Sequence, residues 1–175
     1  QEQLLPHSCL LTEPCPPLAP HYTTFPTKPC LFSAKSDLVK RAVRCPNMHL
    51  IWSSFGRRCF YYVPKPMSWA RAEKNCRSMR GSLASVHSLK EYHAIQSLIK
   101  YATHEDKEAW IGGTDAPQEG IWLWSDGTPF NYRHCGGFNN YKGQQHCLQM
   151  NYGADNCWDD VSCTIDRPFV CAKKP

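Results

Sequence analysis

Asn156-Cys157-Trp158-Asp159-Asp160-Val161-Ser162-Cys163 is the stretch whose reading decides this chain. Two adjacent carboxylates follow an aromatic residue and sit between two cysteines. On a strand, neighbouring side chains point to opposite faces, so Asp159 and Asp160 converge on one ion only where the backbone is held at a strand edge or a turn. Flanking disulfides would supply that hold. Oxygen-rich side chains pinned this way suit a hard cation such as Ca²⁺. Standing alone, an Asp-Asp pair is more often a solvated acidic turn beside structural cysteines, so the rest of the chain has to choose.

Working outward, the cysteines set the compartment. Eleven in 175 residues indicate an oxidising environment and a secreted, extracellular protein. No C-x2-C pair occurs, which excludes the zinc-ribbon patterns. No stretch is long and apolar enough to span a membrane. The net charge of +5 is modest and its basic residues are scattered, which argues against nucleic acid as a partner. The opening Gln1-Glu2-Gln3 reads as a mature end already trimmed, and no N-glycosylation sequon is present.

Residues 1–44 read as a separate piece. Pro6, Pro14, Pro16, Pro17, Pro20, Pro26 and Pro29 leave no helical or strand period, so an irregular, extended arm or propeptide-like segment is expected. It carries three cysteines, Cys9, Cys15 and Cys30. Their odd number leaves at least one free, paired with the main domain, or paired with another chain, and a disulfide-linked homodimer is one expectation. The arm ends in Lys40-Arg41-Ala42-Val43-Arg44, which reads as a processing site or an ordinary solvated linker.

The compact domain is expected over residues 45–175. Cys45 and Cys59 bracket a small hairpin that turns at Gly56-Arg57-Arg58 and leads into the strand Cys59-Phe60-Tyr61-Tyr62-Val63. A first helix opens at Ser68 as N-cap, carries Trp69, Ala72, Cys76 and Met79 on one face, and ends at Gly81. A second opens on the capping box Ser88-Leu89-Lys90-Glu91 and presents Tyr92, Ile95, Leu98 and Ile99 as an apolar stripe. Trp110-Ile111-Gly112-Gly113 is a short buried strand running into a glycine turn, and Ile121-Trp122-Leu123-Trp124 is another strand. Residues 131–145 have no apolar period and read as a long functional loop, followed by strands at Cys147–Met150, Cys157-Trp158 and Phe169–Ala172. Two helices followed by several short strands indicate an α+β fold with antiparallel sheet.

Taken in order, Cys59-Phe60-Tyr61-Tyr62, the Trp69…Ala72…Cys76 helix, Gly81–Ser88, Trp110-Ile111-Gly112-Gly113, Trp122–Gly127, Cys147, Trp158-Asp159-Asp160, Cys163 and Cys171 resemble the C-type lectin-like domain over about residues 45–174. Within it, the string Cys157-Trp158-Asp159-Asp160 and the extra Cys135 are similar to the soluble fish lectins and the type II antifreeze proteins. The resemblance implies two helices packed on short antiparallel sheets, with disulfides Cys45–Cys59, Cys76–Cys171, Cys147–Cys163 and Cys135–Cys157. The antifreeze proteins have a further bridge near the positions of Asp115 and His146, which here are not cysteines.

The same resemblance implies a calcium site that reads sugars. Its ligands would be a Glu-Pro-Asn-type triplet, a glutamate before a strand cysteine, and the pair after tryptophan. In this chain the triplet falls on Gly137-Phe138-Asn139, with Asn140 as the alternative register, the glutamate position on Gln145, and the pair on Asp159-Asp160. Asn139, Gln145, Asp159 and Asp160 are therefore the expected carbohydrate and calcium ligands. Gly137 supplies no side-chain oxygen. Phe138 replaces the proline whose cis bond orients the triplet, and a cis bond before a non-proline residue costs about 3–4 kcal/mol, so another loop shape is expected. Two carboxylates remain where the family set carries at least three, which predicts weak calcium binding or none. Phe138, Tyr141, Tyr132 and Tyr152 stand near the loop, either to stack on a sugar or simply to pack.

The expectation is a secreted, non-enzymatic lectin of innate defence that binds microbial or self glycans with weak or absent calcium dependence. The alternatives are an ice-binding protein, disfavoured by the absence of threonine between Thr128 and Thr164, and a metal-independent interaction or scaffold protein. A Cys/His nucleophile at His134-Cys135 or His146-Cys147 is the weakest reading, because adjacent residues do not face each other productively and both cysteines are better used in bridges.

Overall fold

The computed structural model describes Cys45 and residues 51–175. The arm, its cysteines Cys9, Cys15 and Cys30, and the basic stretch at Lys40-Arg41 lie outside the described residues.

Local sequence explains the first half of the chain. Strands β1 (Ser53–Phe55) and β2 (Arg58–Met67) form a hairpin whose turn uses Gly56 at a φ of 59°, a conformation that costs glycine nothing. Helix α1 (Trp69–Ser78) follows. Ser68 sits at its N-cap position without a side-chain capping bond. Its end differs from the expected glycine stop. Arg80 takes the left-handed conformation at φ 60°, donating to the Arg77 carbonyl while Gly81 donates to that of Cys76, the two bonds of a Schellman closure. Gly81 is required for another reason, since a Cβ there would lie 2.6 Å from the Ala172 carbonyl oxygen. After β3 (Ser82–Leu83), helix α2 (Leu89–Thr103) is capped by the Ser88 hydroxyl, which accepts from the Glu91 amide. The Glu91 carboxylate accepts from the His87 amide at 2.8 Å, closing the capping box one residue earlier than the simplest form. Its other oxygen pairs with Arg58 at 2.7 Å, and Arg58 also donates to Ser85, so β2 is tied to the start of α2.

The second half supplies β4 (Ala109–Thr114), β5 (Leu123–Trp124), β6 (Cys147–Tyr152), β7 (Cys157–Val161) and β8 (Arg167–Lys173). The sheet runs β1-β2-β8-β4-β6-β7, with β3 on β8 and β5 on β4. Pairing is antiparallel except β4 with β8. Gly112 and Gly113 are inside β4, which runs on to Thr114 with no turn at the glycines. A Cβ on Gly112 would come within 2.8 Å of the Leu83 carbonyl oxygen, and one on Gly113 within 2.3 Å of Leu148, so close packing rather than turning demands them. The strand expected at Ile121–Trp124 is limited to its last two residues.

Period-2 alternation then builds two cores. Cys59, Trp110, Phe169 and Cys171 face Ala72 and Cys76 of α1, whereas Phe60, Tyr62, Ile111, Val170 and Ala172 face Tyr92, Ile95 and Ile99 of α2. One helix therefore covers each face of the sheet. The indoles of the partly buried Trp69 and the buried Trp110 donate to the carbonyls of Ile111 and Met67, both at 2.9 Å. Disulfides Cys45–Cys59, Cys76–Cys171, Cys135–Cys157 and Cys147–Cys163 are all formed. Cys76–Cys171 joins α1 to β8 across 95 residues, and Cys135–Cys157 ties the long loop to β7.

Candidate functional site

The long loop reaches β7 at the sheet's edge, and both aspartates lie in the in-register part of its pairing with β6, just after a register shift. That register separates them. Asp160 lies opposite Leu148, on the face that carries Trp158 and the α2 core. Asp159 lies opposite Gln149 on the other face. Its carboxylate accepts from the Gln149 amide at 3.1 Å, and Gln149 in turn accepts from Arg167 at 3.0 Å. Burial holds the Asp159 carboxyl above its ordinary range, with the charges of Asp160 and Glu108 adding to the effect and the Gln149 bond opposing it. Of the expected set Asn139, Gln145, Asp159 and Asp160, the Asp159 carboxylate is thus engaged with Gln149 on the face of β7 opposite to Asp160.

Asp160 holds the loop by its backbone at Asn139 and Asn140, and Gln145 joins through Asn140. Asp160, 1% exposed, accepts the amide of Asn139 at 2.9 Å and that of Asn140 at 2.7 Å, one on each carboxylate oxygen. Asn140, with a positive φ of 39°, accepts the Gln145 amide on its side-chain oxygen at 3.0 Å. The Gln145 side-chain oxygen accepts from Tyr141 at 2.6 Å, closing a short 3-10 turn at Tyr141–Gly143. Upstream, Gly136 at φ 98° presses on β7, and a Cβ there would lie 2.0 Å from the Trp158 carbonyl oxygen.

Side chains fill the space beneath. Phe138 lies 4.8 Å from Trp122 between ring centroids, and the Arg133 guanidinium sits 3.6 Å from the Phe138 centroid. Tyr132 packs edge-on against Trp158, and His134 stacks on Tyr92 at 4.0 Å. Tyr92 donates to the Asn156 carbonyl and to the Asn151 side chain. Burial, reinforced by His93, pulls the His134 pKa below its ordinary value. Of the four aromatics expected near the loop, Phe138 and Tyr132 are thus used in packing, while Tyr141 and Tyr152 remain 64% and 49% exposed.

This arrangement fits a calcium ion at Trp158-Asp159-Asp160 poorly. Both Asp160 oxygens already accept amide N–H groups, Asp159 faces away, and Gly137 adds no oxygen.

A separate cluster lies at Asp115, Glu119 and His146. These residues bring one potential metal-ligating atom each to within 4.8 Å of one another. His146 Nδ1 is 3.1 Å from Asp115 and 3.3 Å from Glu119, and the buried Asp115 also accepts from Gly120 at 2.8 Å. The sequence had marked Asp115 and His146 only as positions of a missing bridge. The contact joins the same two positions without sulfur. Cys135 and Cys147, the candidate nucleophiles, are both in disulfides.

Residues 65–173 match the lectin C-type domain family. The chain is 37% identical to the galactose-specific lectin nattectin of Thalassophryne nattereri, over 88% of this chain and 96% of that protein. It is 42% identical to a type-2 ice-structuring protein of Hemitripterus americanus, over 73% of this chain and 75% of that one. Among solved structures, a calcium-independent type II antifreeze protein superposes with a TM-score of 0.66 at 38% identity, covering 76% of this chain and 96% of that chain.

Proposed function

This chain belongs to the lectin C-type domain family, and we propose that it is an extracellular carbohydrate-binding protein whose long loop reads microbial or self glycans with weak or absent calcium dependence. The carrying observation is the loop itself, folded onto β7 through Asp160 and closed by Asn140 and Gln145, while Asn139 and Tyr141 stay exposed. An exposed ring next to amide groups offers a sugar both an apolar face to stack on and hydroxyl partners. The name of nattectin makes galactosides the first class to try. The four disulfides fit an oxidising, extracellular location. Glycan-array binding with calcium and with a chelator tests this. Binding to at least one galactoside in both conditions is expected, and binding to no glycan in either removes the proposal.

The similarity to type-2 ice-structuring proteins favours ice as a second reading. A thermal hysteresis equal to that of buffer excludes it.

A further inference from the structure

We propose that Asp160 takes the place of a cation in shaping the long loop: its carboxylate gathers the backbone at Asn139 and Asn140, so the loop holds its form without metal. The proposal deepens the carbohydrate reading in taking this loop as the binding surface, but the loop's order can be measured with no sugar present.

The polarity of the contacts carries the inference. A metal-shaped loop turns oxygen atoms inward, toward positive charge. Here the loop turns two N–H groups inward, at 2.9 and 2.7 Å, toward a buried negative charge. A cation seated on Asp160 would face the positive ends of both dipoles. Hydrogen bonds from backbone amides to a carboxylate are short and strong, and burial strengthens them. They also satisfy a charge that would be costly to leave bare in a site 1% exposed.

The remaining fasteners of the loop are likewise metal-free. The Cys135–Cys157 bridge and the tight seat of Gly136 on the Trp158 carbonyl hold its start. Phe138 is wedged between Trp122 and Arg133. Asn140 and Gln145 cross-bond at 3.0 Å to hold its end. Among the described residues, Asp160 is the acidic side chain that joins this set. Asp159, its neighbour in sequence, is on the far face with Gln149.

Amide hydrogen exchange on the full chain, resolved at residues 136–145, tests the proposal with calcium present and with a chelator. Wild-type loop amides are expected to be equally protected in both. In D160A the Asn139 and Asn140 amides should exchange about tenfold faster or more, the equivalent of losing bonds to a charged acceptor. D160N keeps the volume but offers one acceptor and turns an NH2 group toward the other amide, so it should loosen the same two amides while leaving the rest of the domain as protected as wild type. D159N should leave the loop amides unchanged. Wild-type protection that collapses on chelation would overturn the proposal, as would a loop in D160A and D160N as slow to exchange as wild type, or D159N loosening it equally. Glycan binding by the same samples is scored separately, so a failed lectin reading leaves the exchange result standing.

Discussion

The layered body and the loop on its edge are held by different physics. In the body, each sheet face buries a helix stripe, so most contacts are apolar, redundant and non-directional. In the loop, residues 136–145 are held by single polar bonds, one ring and one disulfide. Deleting one contact in the body weakens a sum, whereas deleting one in the loop frees a segment. This contrast teaches that stability and binding shape are supported by nearly separate sets of residues here.

The largest effect should come from the body's long bridge. Replacing Cys76 and Cys171 together by serine should cost roughly 2–5 kcal/mol of unfolding free energy, read by denaturant titration. The loop's bridge sharpens the comparison. Cys135–Cys157 spans 22 residues against 95, so by chain entropy the double C135S/C157S variant should lose about 1 kcal/mol less than the body variant. It should nevertheless raise proteolytic cleavage within the loop far more. Equal losses of stability in both variants would break the distinction.

A smaller effect is expected from acid. Burial lowers the His134 pKa below its ordinary 6.5, so the unfolded chain takes up the proton first. The stability tied to this residue is complete above pH 6.5 and is lost as the pH falls from there through the folded-state value. Because His134 stacks on Tyr92 next to Cys135, the loss should appear as faster exchange at residues 132–136. H134A should flatten that pH dependence. The smallest effect on stability belongs to Tyr141, whose exposed ring makes Y141A neutral within about 0.5 kcal/mol. Its affinity for a bound glycan should fall severalfold, measured by calorimetry. A Tyr141 variant that binds glycan as wild type would move the sugar face elsewhere on the loop.

Local chemistry made most of the body legible. The stripe at Tyr92, Ile95 and Ile99 and the Ser88–Glu91 cap are contained within a few consecutive residues, and the structure uses them as expected. Glycines were read less well. Gly81, Gly112 and Gly113 looked like punctuation, but each is small because backbone or side chains from distant elements approach it, and no local pattern records that. In the candidate site the sequence offers side-chain oxygens, whereas Asp160 holds the loop through the backbone amides of Asn139 and Asn140, which a list of side-chain ligands does not count.

The order of residues was enough to establish an oxidised α+β body and a long loop beside an acidic pair, because periodicity and capping act over one or two turns. Its likeness to a known family supplied the cysteine partners. The chain order could not say which way each aspartate points. That depends on β7 pairing with β6 in one register, on the loop returning to β7 from more than twenty residues upstream, and on the Gln149 and Arg167 groups waiting on the opposite face. Interactions between segments far apart in sequence made that choice, and they turned an apparent pair of metal ligands into one loop anchor and one buried strand contact.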